Sequence, residues 1–146
     1  MKVPHNGFVL VADGQKALLL RNQGDAEVLD LKLVRGTEQS DAPDRDRKTD
    51  AKGRAPSIPG IQSATVGEAD YHQQAEDRFA ADTADALRRS ALAGDFEHLI
   101  VVAPPRTLGE LRKHYHKEVV ARLTGEIPKD LTDHTVPDIE RALLTA

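Results

Sequence analysis

Two stretches of the chain, Phe8-Val-Leu-Val-Ala12 and Leu99-Ile-Val-Val-Ala103, are apolar at every position. A run with no polar alternation suits a strand covered on both faces, so both belong in the middle of a sheet with helices packed on it. Asp13-Gly14 after the first run is a two-residue hairpin signal, read as a type I′ turn whose central positions need positive φ. Ala17–Leu20 is then the antiparallel partner. Asn22, Gly24 and Asp25 make a second turn, after which Leu29, Leu31 and Leu33 alternate with Asp30 and Lys32 as a half-buried strand. From Gly36 to Gly67 the apolar pattern disappears. Pro43, Pro56, Pro59, Gly53 and Gly60 punctuate a polar stretch that includes Asp44-Arg-Asp-Arg-Lys48, which reads as a long loop at about 36–67.

Helical spacing returns over Glu68 to Ala93, where His72, Ala75, Phe79, Thr83, Ala86 or Leu87 and Ser90 recur on one face and Gly94 supplies a stop. The opposite face is acidic. After the second apolar run, Pro104 and Pro105 end the ladder because neither donates a backbone hydrogen bond. Thr107 with Glu110 three residues on forms a capping-box signature. Leu108, Leu111, Tyr115 and Val119 then predict one helix with a continuous buried stripe. A short strand over Leu123–Ile127 follows, and Thr135, Pro137 and Asp138 signal a last helix running through Leu144. The order is βββαβαβα in an α/β domain. Right-handed crossovers and the two continuous apolar strands predict a mixed five-stranded sheet, with the first strand parallel to the fourth and the meander on one flank.

Composition narrows the function classes. A chain of 146 residues is read as a single domain, 1–146. With no cysteine there are no disulfides, thiolate metal sites or cysteine nucleophiles. The five aromatic residues, Phe8, Phe79, Phe96, Tyr71 and Tyr115, make a base-stacking platform a poor expectation. No long apolar segment follows the Met-Lys-Val-Pro-His-Asn start, so a cytoplasmic protein without a membrane span is expected. A net charge of −4 argues against bulk nucleic-acid binding and moves any such role to a local patch.

That patch is the second helix. Arg106, Arg112, Lys113, Lys117 and Arg122 outnumber Glu110 and Glu118 there, and Arg106 with Thr107 stands where a strand feeds a helix N-terminus, the anion-binding edge of open α/β folds. These residues are the candidate phosphate or RNA contacts, with Arg45, Arg47, Lys48, Lys52 and Arg54 as further contacts from the loop. The other reading of the stripe is a solvated face balanced by the acidic first helix. Asp13 in a turn and Asp95 ahead of its strand are poorly placed for a two-metal nuclease. His114 and His116 point to different helix faces, and with His134 they are read as structural, so no metal ligand is assigned. Ser40, Ser57, Ser63 and Ser90 lack a nucleophile elbow, so no catalytic residue and no cofactor is assigned.

Val101-Val-Ala-Pro-Pro-Arg-Thr-Leu-Gly-Glu-Leu-Arg112, with His116-Lys-Glu-Val119, Gly125-Glu-Ile127, Lys129-Asp-Leu-Thr132, His134, Ile139-Glu-Arg-Ala-Leu143 and the Val11-Ala-Asp-Gly14 hairpin, resembles the bacterial host attachment protein family. That family in turn resembles the central domain of archaeal and eukaryotic peptide-chain release factors, which implies a ribonuclease-H-like mixed sheet. In that domain a Gly-Gly-Gln tripeptide promotes peptidyl-tRNA hydrolysis, and this chain has none. Asp13-Gly14-Gln15 is similar only superficially, since turn chemistry already accounts for its glycine. The expectation is a non-catalytic binding module contacting RNA or the ribosome through the basic helix 106–122. The alternatives are a surface or host-attachment factor acting through protein partners and a hydrolase acting on RNA or peptidyl-tRNA.

Overall fold

The computed structural model describes residues 1–39 and 61–146, with side chains in the second stretch from Asp70 onward. Its elements are β1 (Phe8–Ala12), β2 (Lys16–Asn22), β3 (Leu31–Glu38), α1 (Ile61–Leu92), β4 (Leu99–Val102), α2 (Pro105–His114), α3 (Lys117–Arg122), β5 (Leu123–Ile127) and α4 (Val136–Thr145). They form a mixed five-stranded sheet in the order β3-β2-β1-β4-β5. β1 pairs antiparallel with β2 and parallel with β4, from Phe8 opposite Leu99 to Val11 opposite Val102. The two all-apolar runs are therefore neighbours at the centre, buried at every position.

Each face of the sheet has its own core, because alternate side chains of β1 and β4 point to opposite sides. Leu10, Leu19, Leu99 and Val101 pack with Phe79, Leu87, Leu108, Leu111 and Val119 beneath α1, α2 and α3. Val9, Val11, Ile100 and Val102 pack on the other face with Val3, Ile139 and Leu143 beneath α4. Fully burying a side chain of this kind contributes about 1.5–3 kcal/mol, and the paired central strands supply such side chains to both cores.

Several local expectations change. The β1–β2 turn is not type I′: among the described residues only Asn6 and Gly94 have positive φ. Ala12 faces Ala17, so Gly14 and Gln15 are the central pair, and the Asp13 carboxylate accepts the Gln15 and Lys16 N–H groups at 2.8 and 2.7 Å. A Cβ at Gly14 would lie 2.7 Å from the Glu76 side chain of α1, whose flexible carboxylate end would have to move aside. β3 is an exposed edge rather than a half-buried strand. Leu31 is 3% exposed but Leu33, opposite Leu20 in the same stretch of register, is 59% exposed. Strand structure continues to Glu38 and helix resumes at Ile61, so both ends of the predicted loop are regular. The helix start was hidden by Ser63, Thr65 and Gly67, residues of weak helix propensity. His72 is exposed, outside the stripe assigned to it.

Two helix ends follow their signals. Gly94 adopts φ +76° and closes α1 in a Schellman arrangement, its N–H donating to the Ala91 carbonyl and that of Asp95 to Ser90, each at 3.0 Å. Thr135 caps α4 by accepting the Asp138 N–H at 3.2 Å. Gly109, in contrast, lies inside α2, and a methyl group at its Cα would meet nothing within 4 Å. Gly109→Ala is expected to raise stability by about 0.5–1 kcal/mol in urea unfolding, through helix propensity alone.

Candidate functional site

The junction between β4 and α2 differs from its sequence signature in a way that bears on anion binding. α2 begins at Pro105, with Pro104 as N-cap and no side-chain cap, so Thr107 and Glu110 do not form a capping box. Proline at the first helical position supplies the required φ in advance, which places the start before Thr107. It also removes donors: neither proline has an N–H, and the Leu108 N–H already bonds the Pro104 carbonyl at 2.9 Å. Only Arg106 and Thr107 bring free main-chain donors to this helix end. The Arg106 guanidinium reaches across to α1 and donates to the Gln73 side-chain oxygen.

The predicted single basic helix is two helices. Tyr115 and His116 are extended, and His116 Nδ1 accepts the Glu118 N–H at 3.0 Å as the N-cap of α3. Tyr115 is drawn inward, its hydroxyl 3.5 Å from the Glu126 carboxylate of β5. Arg112 donates to the same carboxylate from Nη2 at 2.7 Å and Nε at 3.0 Å, a forked geometry that fixes α2 on β5. Arg122 donates to the Phe96 carbonyl at 3.0 Å and to the Glu118 carbonyl and carboxylate, each at 2.8 Å. Arg112 and Arg122 thus brace the fold. Lys113 meets Glu110 at 2.6 Å but its side chain remains 68% exposed, and Lys117 and Arg106 are also exposed. Thr107 is half-buried. Arg45, Arg47, Lys48, Lys52 and Arg54 lie outside the described residues.

These pairings hold the charges. Hydrogen bonding to Glu126 raises the pKa of Arg112, the Glu110 contact raises that of Lys113, and the Arg122 contact lowers that of Glu118. Burial, with the Glu126 charge second, pushes the Tyr115 phenol well above the ordinary tyrosine range. A folded-state pKa above the unfolded value means a contribution fully present below the unfolded value, about 10, and lost as pH rises past it. Urea midpoints should therefore begin to decline as pH rises past about 10, and Tyr115→Phe should flatten that decline.

Two arrangements had no signal along the chain. At the carboxyl edge of the sheet the buried Thr132 hydroxyl lies 2.8 Å from an Asp13 oxygen and 2.9 Å from an Asp130 oxygen. Among the described residues no three His, Asp or Glu side chains converge to hold a metal. On the other flank of α1 a cleft of about 440 Å³ opens between that helix and β3, floored by Leu10, Leu19, Phe79 and Leu87. Its helical residues read as core stripe in the sequence, because periodicity shows which face turns inward but not whether the sheet fills the space opposite.

Among the described residues no helix is long and apolar enough to cross a membrane. No curated protein matches the chain. A family model does, that of bacterial archaeo-eukaryotic release factor family 12, over residues 6–143. The match carries the release-factor side of the resemblance and not the host-attachment side. It spans every strand, the basic helices and nearly all of α4, in a mixed five-stranded α/β fold consistent with a release-factor-like domain. The chain belongs to bacterial archaeo-eukaryotic release factor family 12.

Proposed function

We propose that this domain is a non-catalytic, release-factor-like module that contacts RNA on the ribosome through the outward face of α2 and α3. The observation that carries the reading is the exposure of Arg106, Lys113 and Lys117 along these two helices, on a chain whose net charge is −4. A positive patch on an acidic body directs association to one surface and repels RNA elsewhere. Arg112 and Arg122, with Glu126 and Glu118, hold that surface in place; Thr107 contributes its main-chain N–H. Family membership supports a link to the ribosome, and a sequence without Gly-Gly-Gln supports binding without peptidyl-tRNA hydrolysis.

Co-sedimentation with ribosomes and with ribosomal RNA, at low and moderate salt, tests this. Arg106→Ala/Lys113→Ala/Lys117→Ala removes three exposed charges and leaves both braces, including the exposed Arg112, intact. The wild type should bind in a salt-sensitive manner, and the variant should lower the slope of log affinity against log salt by about 2, the share of three phosphate contacts. Equal binding by a folded variant, or no binding by the wild type at any salt, overturns the proposal.

A further inference from the structure

We infer that the cleft between α1 and β3 is a binding site for a small amphipathic zwitterion, of the size of a dipeptide with apolar side chains. The cleft lies on the side of α1 away from α2 and α3, between that helix and the edge strand. α1 packs toward α2 and α3, and Arg35, Thr37 and Glu38 of β3, beyond the register slip between Leu19 and Leu20, form the wall that faces it. What remains is a hollow of about 440 Å³, within the range of small-molecule sites. Gln39 fixes its end: the main-chain N–H donates to the Gln15 carbonyl at 2.6 Å and the side chain to the Ala75 carbonyl at 2.8 Å. The walls are thus tied together from β3 to the hairpin and the helix.

The lining combines a dry floor with a charged rim of both signs. Leu10, Leu19, Phe79 and Leu87 form the floor. Arg35, Arg78 and Arg89 stand on the rim with Glu38 and Asp82. Arg89 is engaged by Asp85 at 2.9 Å. Arg35, Arg78, Glu38 and Asp82 form no ion pair among the described residues, which leaves two cations and two anions facing one apolar hollow. A simple anion would satisfy the guanidiniums and meet repulsion from the carboxylates; a cation would do the reverse. A ligand with a carboxylate, an ammonium group and an apolar body satisfies all three surfaces, with the guanidiniums suited to a carboxylate by their planar fork.

Isothermal titration with apolar dipeptides such as phenylalanyl-leucine, in free, N-acetylated and C-amidated forms, tests the inference. The free dipeptide should bind saturably, and removing either charge should weaken binding at least tenfold. In Arg35→Ala/Arg78→Ala the C-amidated form should bind as well as the free one, and in Glu38→Gln/Asp82→Asn the N-acetylated form should. Ala86→Phe, which fills the cleft from the half-buried side of α1, should abolish binding while thermal unfolding shows the fold intact. Failure of every free dipeptide to bind the wild type, or binding indifferent to the caps, overturns it. These outcomes are independent of ribosome co-sedimentation, since the cleft and the basic helices lie on opposite flanks of α1.

Discussion

Asn22→Leu is expected to lower the free energy of unfolding by about 4 kcal/mol, because it strands several backbone groups at once. Asn22 is fully buried at the end of β2, and its side chain is the hub of the second turn. Its oxygen accepts the Gly24 and Asp30 N–H groups, each at 3.0 Å, and its nitrogen donates to the carbonyls of Val3 at 2.9 Å and Asp25 at 3.1 Å. Leucine matches the volume and makes none of these bonds. Each orphaned buried group then costs about 1–3 kcal/mol, more than the added apolar contact returns. Urea unfolding should show a reduced midpoint at unchanged slope, and the melting temperature should fall by roughly 10 °C for a domain of this size. A loss under about 1 kcal/mol would mean that water or a rearranged turn satisfies those groups instead.

Leu111→Ala should cost about 3 kcal/mol, whereas Lys113→Ala, two positions along the same helix, should cost under about 0.5 kcal/mol. Leu111 is fully buried among the side chains that join α2 to the central strands, while Lys113 is largely exposed. The first removes methyl groups from a close-packed interior and leaves a cavity; the second removes an exposed ion pair. The contrast separates scaffold from surface: ribosome binding by Leu111→Ala should weaken only in proportion to unfolding, and by the triple charge variant without it. Equal stability losses would show that α2 is not held by this core.

How much could be read from the residues differs by level. The central strands were legible because burial on both faces demands an unbroken apolar run, and the short runs Val9–Val11 and Ile100–Val102, rich in β-branched residues, stop at Asp13-Gly14 and Pro104-Pro105. Gly94 and Thr135 were legible because caps are local chemistry. Leu33 was misread because alternation shows which residues share a face, while exposure depends on whether another element covers it. The basic stripe was legible as a count of charges but not as a surface. Glu126 neutralises Arg112 from a strand 14 residues away, and the Phe96 carbonyl that holds Arg122 comes from the connection before β4.

By itself the sequence determined the order of the strands, the central parallel pair, the C-terminal end of α1 and the start of α4, since these follow from periodicity and from hydrogen bonds spanning a few residues. Only the tertiary structure decided that Tyr115 breaks the second helix, that Gly14 lies against the Glu76 side chain, which basic side chains brace the fold, and that a cleft opens beside β3. Those outcomes depend on where distant elements meet, and contact between residues far apart in the chain leaves no trace in the spacing of either one alone.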